Sequence, residues 1–113
     1  MASEVNFVLD QGSTFSMNVV YKDAAGNPVD LSNYSARSQA RETMDSTTTL
    51  WNLVSPTNIN LGANGEITLT VAATTTANYT PNKTYYYDLE LVTGATVIRL
   101  LQGQIYVSPE VTR

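Results

Sequence analysis

Residues Lys83–Arg113, KTYYYDLELVTGATVIRLLQGQIYVSPEVTR, hold two apolar runs separated by Thr93-Gly94-Ala95-Thr96. In the first run Tyr85, Tyr87, Leu89 and Leu91 share one face, while Asp88 and Glu90 share the other. In the second, Leu101, Ile105 and Val107 alternate with Gln102, Gln104 and Tyr106. Period-two patterning around a short Gly-containing loop predicts a β-hairpin with one buried face. Gly103 falls on the inward side of the second run. It either marks a bulge or leaves room for a large ring to cross the strand, and Trp51 is the first candidate for that ring.

Working outward, the same alternation recurs along the chain. Val5, Phe7 and Leu9 predict a first strand, interrupted at Gln11-Gly12, and Phe15, Met17, Val19 and Tyr21 line a second. Lys22 to Asp30 contains Gly-Asn-Pro and reads as a loop. From Tyr34 to Arg41, the small residues Ala36, Ser38 and Ala40 alternate with Arg37, Gln39 and Arg41. A helix is the competing reading there, but the alternation favours a strand whose small inward face lets another layer approach closely. Leu50 to Val54 makes a short strand carrying the sole Trp, and Asn58–Leu61 and Glu66–Val71 flank Gly62-Ala63-Asn64-Gly65. Between Ala72 and Asn82 a single helical turn is expected, with Thr74 as its cap. Prolines 28, 56, 81 and 109 all fall between runs. The prediction is an all-β, antiparallel β-sandwich of seven or eight strands, immunoglobulin- or fibronectin III-like, formed by residues 1–113 as one domain.

Composition narrows the function classes. Cysteine and histidine are both absent, which removes the thiolate nucleophile, the usual general base and the commonest metal ligands. Six basic against ten acidic residues leave a net charge of −4, which disfavours nucleic acid as the main partner. No apolar run approaches the roughly twenty residues that span a bilayer as a helix. Met1 to Asn6 lack the basic and apolar regions of a signal peptide. A soluble chain made in a cytoplasm is expected.

Four candidate sites compete with structural alternatives. Asp88 and Glu90, roughly 7 Å apart on one strand face, form a carboxylate pair, but exposed carboxylates at that spacing are far more often solvated charge than glycosidase machinery. Asp10 with Asp30 lacks the oxygen-rich loop that calcium requires. Of the aromatics that would make a sugar platform, alternation sends Tyr85 and Tyr87 inward, leaving Tyr86 and Tyr106 outside. Arg37, Gln39 and Arg41 form an outward stripe expected to pair with Asp88 and Glu90 on a neighbouring strand. No enzyme activity, metal or cofactor is expected. The first strand, Glu4 to Leu9, carries neither Lys nor Pro, the usual guards of a sheet edge. Val5, Phe7 and Leu9, together with Arg37, Gln39 and Arg41, are therefore the candidate assembly residues.

Two resemblances add to this. Tyr79-Thr80-Pro81-Asn82-Lys83-Thr84-Tyr85 resembles the Leu-X-Pro-Gly-Thr-X-Tyr tyrosine corner of fibronectin type III-like sandwiches, with Tyr79 in the Leu position and Asn82 in the Gly position. It implies that the Tyr85 hydroxyl turns back onto backbone near Tyr79. On a larger scale, QGSTF from Gln11, DAAGNPVDL from Asp23, YSARSQAR from Tyr34 and NGEI from Asn64 occur in an order shared with YDLEL from Tyr87 and LLQGQIYVSPEVTR from Leu100. In that order they resemble a family of small bacteriophage virion proteins, similar to the amino-terminal β-sandwich domain of baseplate upper proteins. Ser38 departs from that pattern where a larger apolar residue is usual, and Asn33 where Gly is common. The resemblance implies a structural part of a virion, synthesised in the host bacterial cytoplasm, in a tail, baseplate or fibre adaptor. Its partners would be other virion proteins, with homo-oligomeric contacts. A capsid decoration protein is the alternative within that class, and a carbohydrate-binding module the alternative outside it.

Overall fold

The computed structural model describes residues 3–43, 45–46 and 49–111. Its longest strands are the two arms of the hairpin, β8 (Lys83–Thr93) and β9 (Thr96–Ser108), paired antiparallel from Lys83↔Val107 to Thr93↔Thr96. Gly94, at φ +57°, supplies the left-handed residue that the two-residue turn requires. The register shifts between Leu89↔Leu101 and Glu90↔Arg99, so β9 carries one extra residue at Leu100. Strict alternation from Leu101 would point Arg99 into the core. The bulge turns Arg99 outward and sets Ile98 opposite Leu91 instead.

The remaining strands are β1 (Ser3–Glu4), β2 (Phe7–Asp10), β3 (Phe15–Val20), β4 (Ser35–Arg41), β5 (Thr49–Val54), β6 (Ile59–Leu61) and β7 (Glu66–Val71). One sheet runs β1-β9-β8-β4-β5 with β2 also on β9, and a three-stranded sheet β3-β7-β6 forms the second layer. The two-sheet, all-β architecture agrees with the predicted sandwich. Its pairing is mostly antiparallel. The exception is the amino-terminal arm, β1 and β2, which runs parallel to β9 in a single register from Ser3↔Leu101 to Asp10↔Ser108.

Alternation places the core as predicted. Leu89, Leu91, Ile105 and Val107 from the hairpin are fully or almost fully buried with Ala40, Ile59, Ile67 and Leu69. The small face of β4 admits Trp51 from the next strand, whose partner across the sheet is Ala40. The indole is buried, and its Nε1–H donates to Ser38 Oγ at 3.1 Å. Ser38 in turn donates to the Asp88 carbonyl at 2.6 Å. A larger apolar residue at 38 would leave the indole N–H without its acceptor, which gives Ser38 a physical reason.

At one end of the core Phe7, Phe15, Trp51 and Tyr87 form a single aromatic cluster. Phe7 stacks on Phe15 with centroids 5.1 Å apart and meets Tyr87 at 5.1 Å, while Phe15 lies 5.7 Å from Trp51. Phe15 belongs to the small sheet and the other three to the large one. The cluster therefore ties the layers together and pins the arm beneath them.

Three expectations need correction. No Trp51 ring crosses Gly103. A Cβ at that position would lie 2.1 Å from the Val5 carbonyl oxygen and 2.8 Å from Asn6 Oδ1, so Gly103 makes room for the arm's own backbone. The tyrosine corner is not formed by Tyr85: the ring is buried, yet its hydroxyl bonds to no group among the described residues. The hydroxyl-to-backbone bond belongs to Tyr87, which donates to the Val5 carbonyl at 2.7 Å. Asn82 does adopt the glycine-like conformation of the corner, at φ +60°. Finally, the short helix α1 (Ala73–Thr76) starts from Ala72 without a side-chain cap, so Thr74 lies inside the turn. Thr76 is the organising residue there, accepting from Gly12 N–H at 3.1 Å and donating to the Ser13 carbonyl at 2.8 Å.

Candidate interaction face

The solvent side of the large sheet collects most of the chemistry of this chain. Cross-strand register aligns Glu4, Gln102, Asp88, Gln39 and Asn52 in one polar row across five strands. On one side runs Gln104, Tyr86 and Arg41; on the other runs Arg99, Glu90 and Arg37. The predicted pairing of the β4 stripe with the β8 carboxylates is present. Arg37 Nε donates to Glu90 Oε1 at 2.8 Å, and Gln39 stands opposite Asp88. Arg41 faces Tyr86 and turns instead to Gln39 Oε1, at 2.6 Å, and to the Ser46 carbonyl. Gln39 also donates to Asn52 Oδ1 at 3.5 Å.

Arg99, absent from the sequence-based candidates, closes this network. Its Nε lies 3.7 Å from Asp88 and 3.8 Å from Glu90. The signal that exposes it is the run Ile98-Arg99-Leu100-Leu101, where period two fails, as it must at a bulge. These pairs are partly solvated and each contributes no more than about 1 kcal/mol. Their larger effect is to leave the face internally compensated in charge. Burial pushes the Asp88 carboxyl above its ordinary value and Glu90 adds to that, against Arg99, Arg37 and the Gln39 backbone N–H.

A shallow concavity of about 320 Å³ lies in the middle of the face. Its walls include Glu4, Tyr86, Asp88, Arg99, Gln102 and Gln104. Tyr106, 39% exposed, stands apart from it and donates to Asn82 Oδ1. Asp30 accepts from the Ser32 N–H and hydroxyl, which draws its carboxyl below the usual value. Among the described residues no cluster of acidic side chains is arranged to hold a metal ion.

The arm supplies one edge of this sheet, and β5 the other. Among the described residues β1 and β2 pair only with β9, so their other side is unpaired. The candidates on it separate by depth. Leu9 is completely buried and Phe7 stacks within the aromatic cluster, whereas Val5 is 39% and Val8 60% exposed. The apolar face of the arm is thus spent on the protein's own core. What it offers a neighbour is outer backbone, with Val5 and Val8.

The ladder at Val5 explains how the arm is fastened. Val5 N–H donates to the Gln102 carbonyl at 2.9 Å, but its carbonyl turns inward to Tyr87. Asn6 Oδ1 fills the vacated ladder position by accepting from Gln104 N–H at 2.9 Å. Further along, Gln11 binds the carbonyls of Ala77 and Tyr79 through Nε2 and receives Glu110 N–H on Oε1. Comparison with known proteins returned no matching family model and no matching curated protein sequence.

Proposed function

We propose that this chain is a non-enzymatic structural component of a bacteriophage virion, a tail, baseplate or fibre-adaptor subunit that acts through protein–protein assembly. The virion context comes from the order of sequence segments described above. The observation that carries the assembly role is the large sheet itself: an internally paired polar face ending in an arm whose outer edge is unpaired among the described residues. Such an edge is a template for a strand of a neighbouring subunit, and the polar face suits a wet, rigid contact. Other virion proteins and further copies of this chain are the partners this reading names.

Mass spectrometry of purified particles from a phage encoding the chain tests it. The chain should be present in several copies per particle, and its absence would sink the assignment. A second arm separates the edge from the face. Val8→Lys places a guarding charge on the arm without touching the core. It should leave melting unchanged and abolish incorporation; normal incorporation would move the contact to the Arg37, Gln39, Arg41 face.

A further inference from the structure

The concavity on the solvent face has a composition that assembly does not require, and we infer that it binds a neutral saccharide of one or two rings. Its volume, about 320 Å³, sits at the small end of the range for small-molecule sites, roughly 300–1,000 Å³. Its charges are balanced, Arg41 and Arg99 against Glu4 and Asp88. Arg41 is held by Gln39 and Ser46, and Arg99 lies against Asp88 and Glu90. With no net charge on its walls, the concavity favours neither an anion nor a cation.

The groups left with free hydrogen-bonding capacity are different. Gln102 and Gln104 side chains bond to no group among the described residues, and neither does the Tyr86 hydroxyl. Each amide offers two donors and one acceptor in a plane, the phenol offers one of each, and Glu4 and Asp88 add acceptors. Vicinal hydroxyls of a pyranose present donor and acceptor pairs of that kind without net charge. The sugar's C–H face needs an apolar surface, and Tyr86 provides an aromatic body with a polar tip between Gln104 and Arg41. The concavity is built across β1, β9, β8 and β4, so sheet register rather than a loop holds its walls in place.

This inference concerns the isolated protein and does not depend on its place in a particle. The test is a backbone amide NMR titration of the full chain with maltose, lactose, chitobiose and mannobiose, each to tens of millimolar, alongside a glycan array. Sodium phosphate serves as the ionic control. At least one saccharide should shift the amides of Tyr86, Gln102 and Gln104 with saturation. Gln102→Ala and Tyr86→Ala variants that melt like the parent should bind at least tenfold more weakly. The proposal is overturned if no saccharide shifts those signals, if both variants bind as the parent does, or if phosphate alone produces the shifts. An array hit whose shifts map outside the concavity overturns it as well.

Discussion

Gly103→Ala is a small change with a large expected effect. The new methyl carbon would sit 2.1 Å from the Val5 carbonyl oxygen, where ordinary contact begins near 3.4 Å, so that carbonyl must retreat by more than an ångström. Retreat breaks the 2.7 Å bond from the Tyr87 hydroxyl and crowds Asn6 Oδ1, which holds Gln104 N–H. Overpacking of this kind costs about 1–3 kcal/mol, and a lost hydrogen bond about 1 kcal/mol more. A total of about 2–4 kcal/mol corresponds to a fall in melting temperature of about 8–16 °C for a chain of this size. Thermal unfolding followed by circular dichroism reads it directly, and amide exchange should show the loss concentrated in the arm. Tyr87→Phe alone should cost about 1 kcal/mol. In the Gly103→Ala background it should cost almost nothing, because the same bond is already broken. Parental melting for Gly103→Ala, or strict additivity of the two substitutions, would refute the arm-over-glycine argument.

Other expectations follow from the same interior. Ser38→Ala strands the indole N–H of Trp51 and should lower stability by about 1–3 kcal/mol, with a change in near-ultraviolet dichroism from the aromatic cluster; an unchanged spectrum and melting would count against the relay. Removing residues 1–9 extracts Phe7 and Leu9 from the core, and since a buried Leu alone is worth about 2–5 kcal/mol, the truncated chain should fail to unfold cooperatively; a sharp parental transition would show the arm to be dispensable. For Asp88 the folded value is raised, so between 3.8 and that raised value the native state binds more proton than the unfolded chain. Its contribution to stability therefore falls as pH rises across that window, and the melting difference between the parent and Asp88→Asn should move in the variant's favour; a difference flat with pH would contradict the assignment.

Much of the fold is local and was legible in the alternation of single strands. Tyr85, Tyr87, Leu89 and Leu91 point inward because successive side chains of a strand must alternate, and the same rule turns Arg37, Asp88 and Glu90 outward. Their cross-strand pairing followed because complementary charges on adjacent pleats stabilise one register. What alternation cannot report is how many residues each strand commits to its partner. The bulge at Leu100 hid Arg99 from the sequence, since one extra residue inverts every side chain beyond it. Nor does alternation say whether two strands run parallel. The arm's parallel course along β9 depends on contacts among residues 82 and 98 positions apart, Val5 with Tyr87 and Asn6 with Gln104. For the same reason Gly103 announced a close approach while its occupant, the Val5 carbonyl, was decided only by packing. The absence of histidine and cysteine, the core faces and the turns belong to the sequence alone. The polar row, the concavity and the free outer edge of the arm belong to register, which exists only once the strands have met.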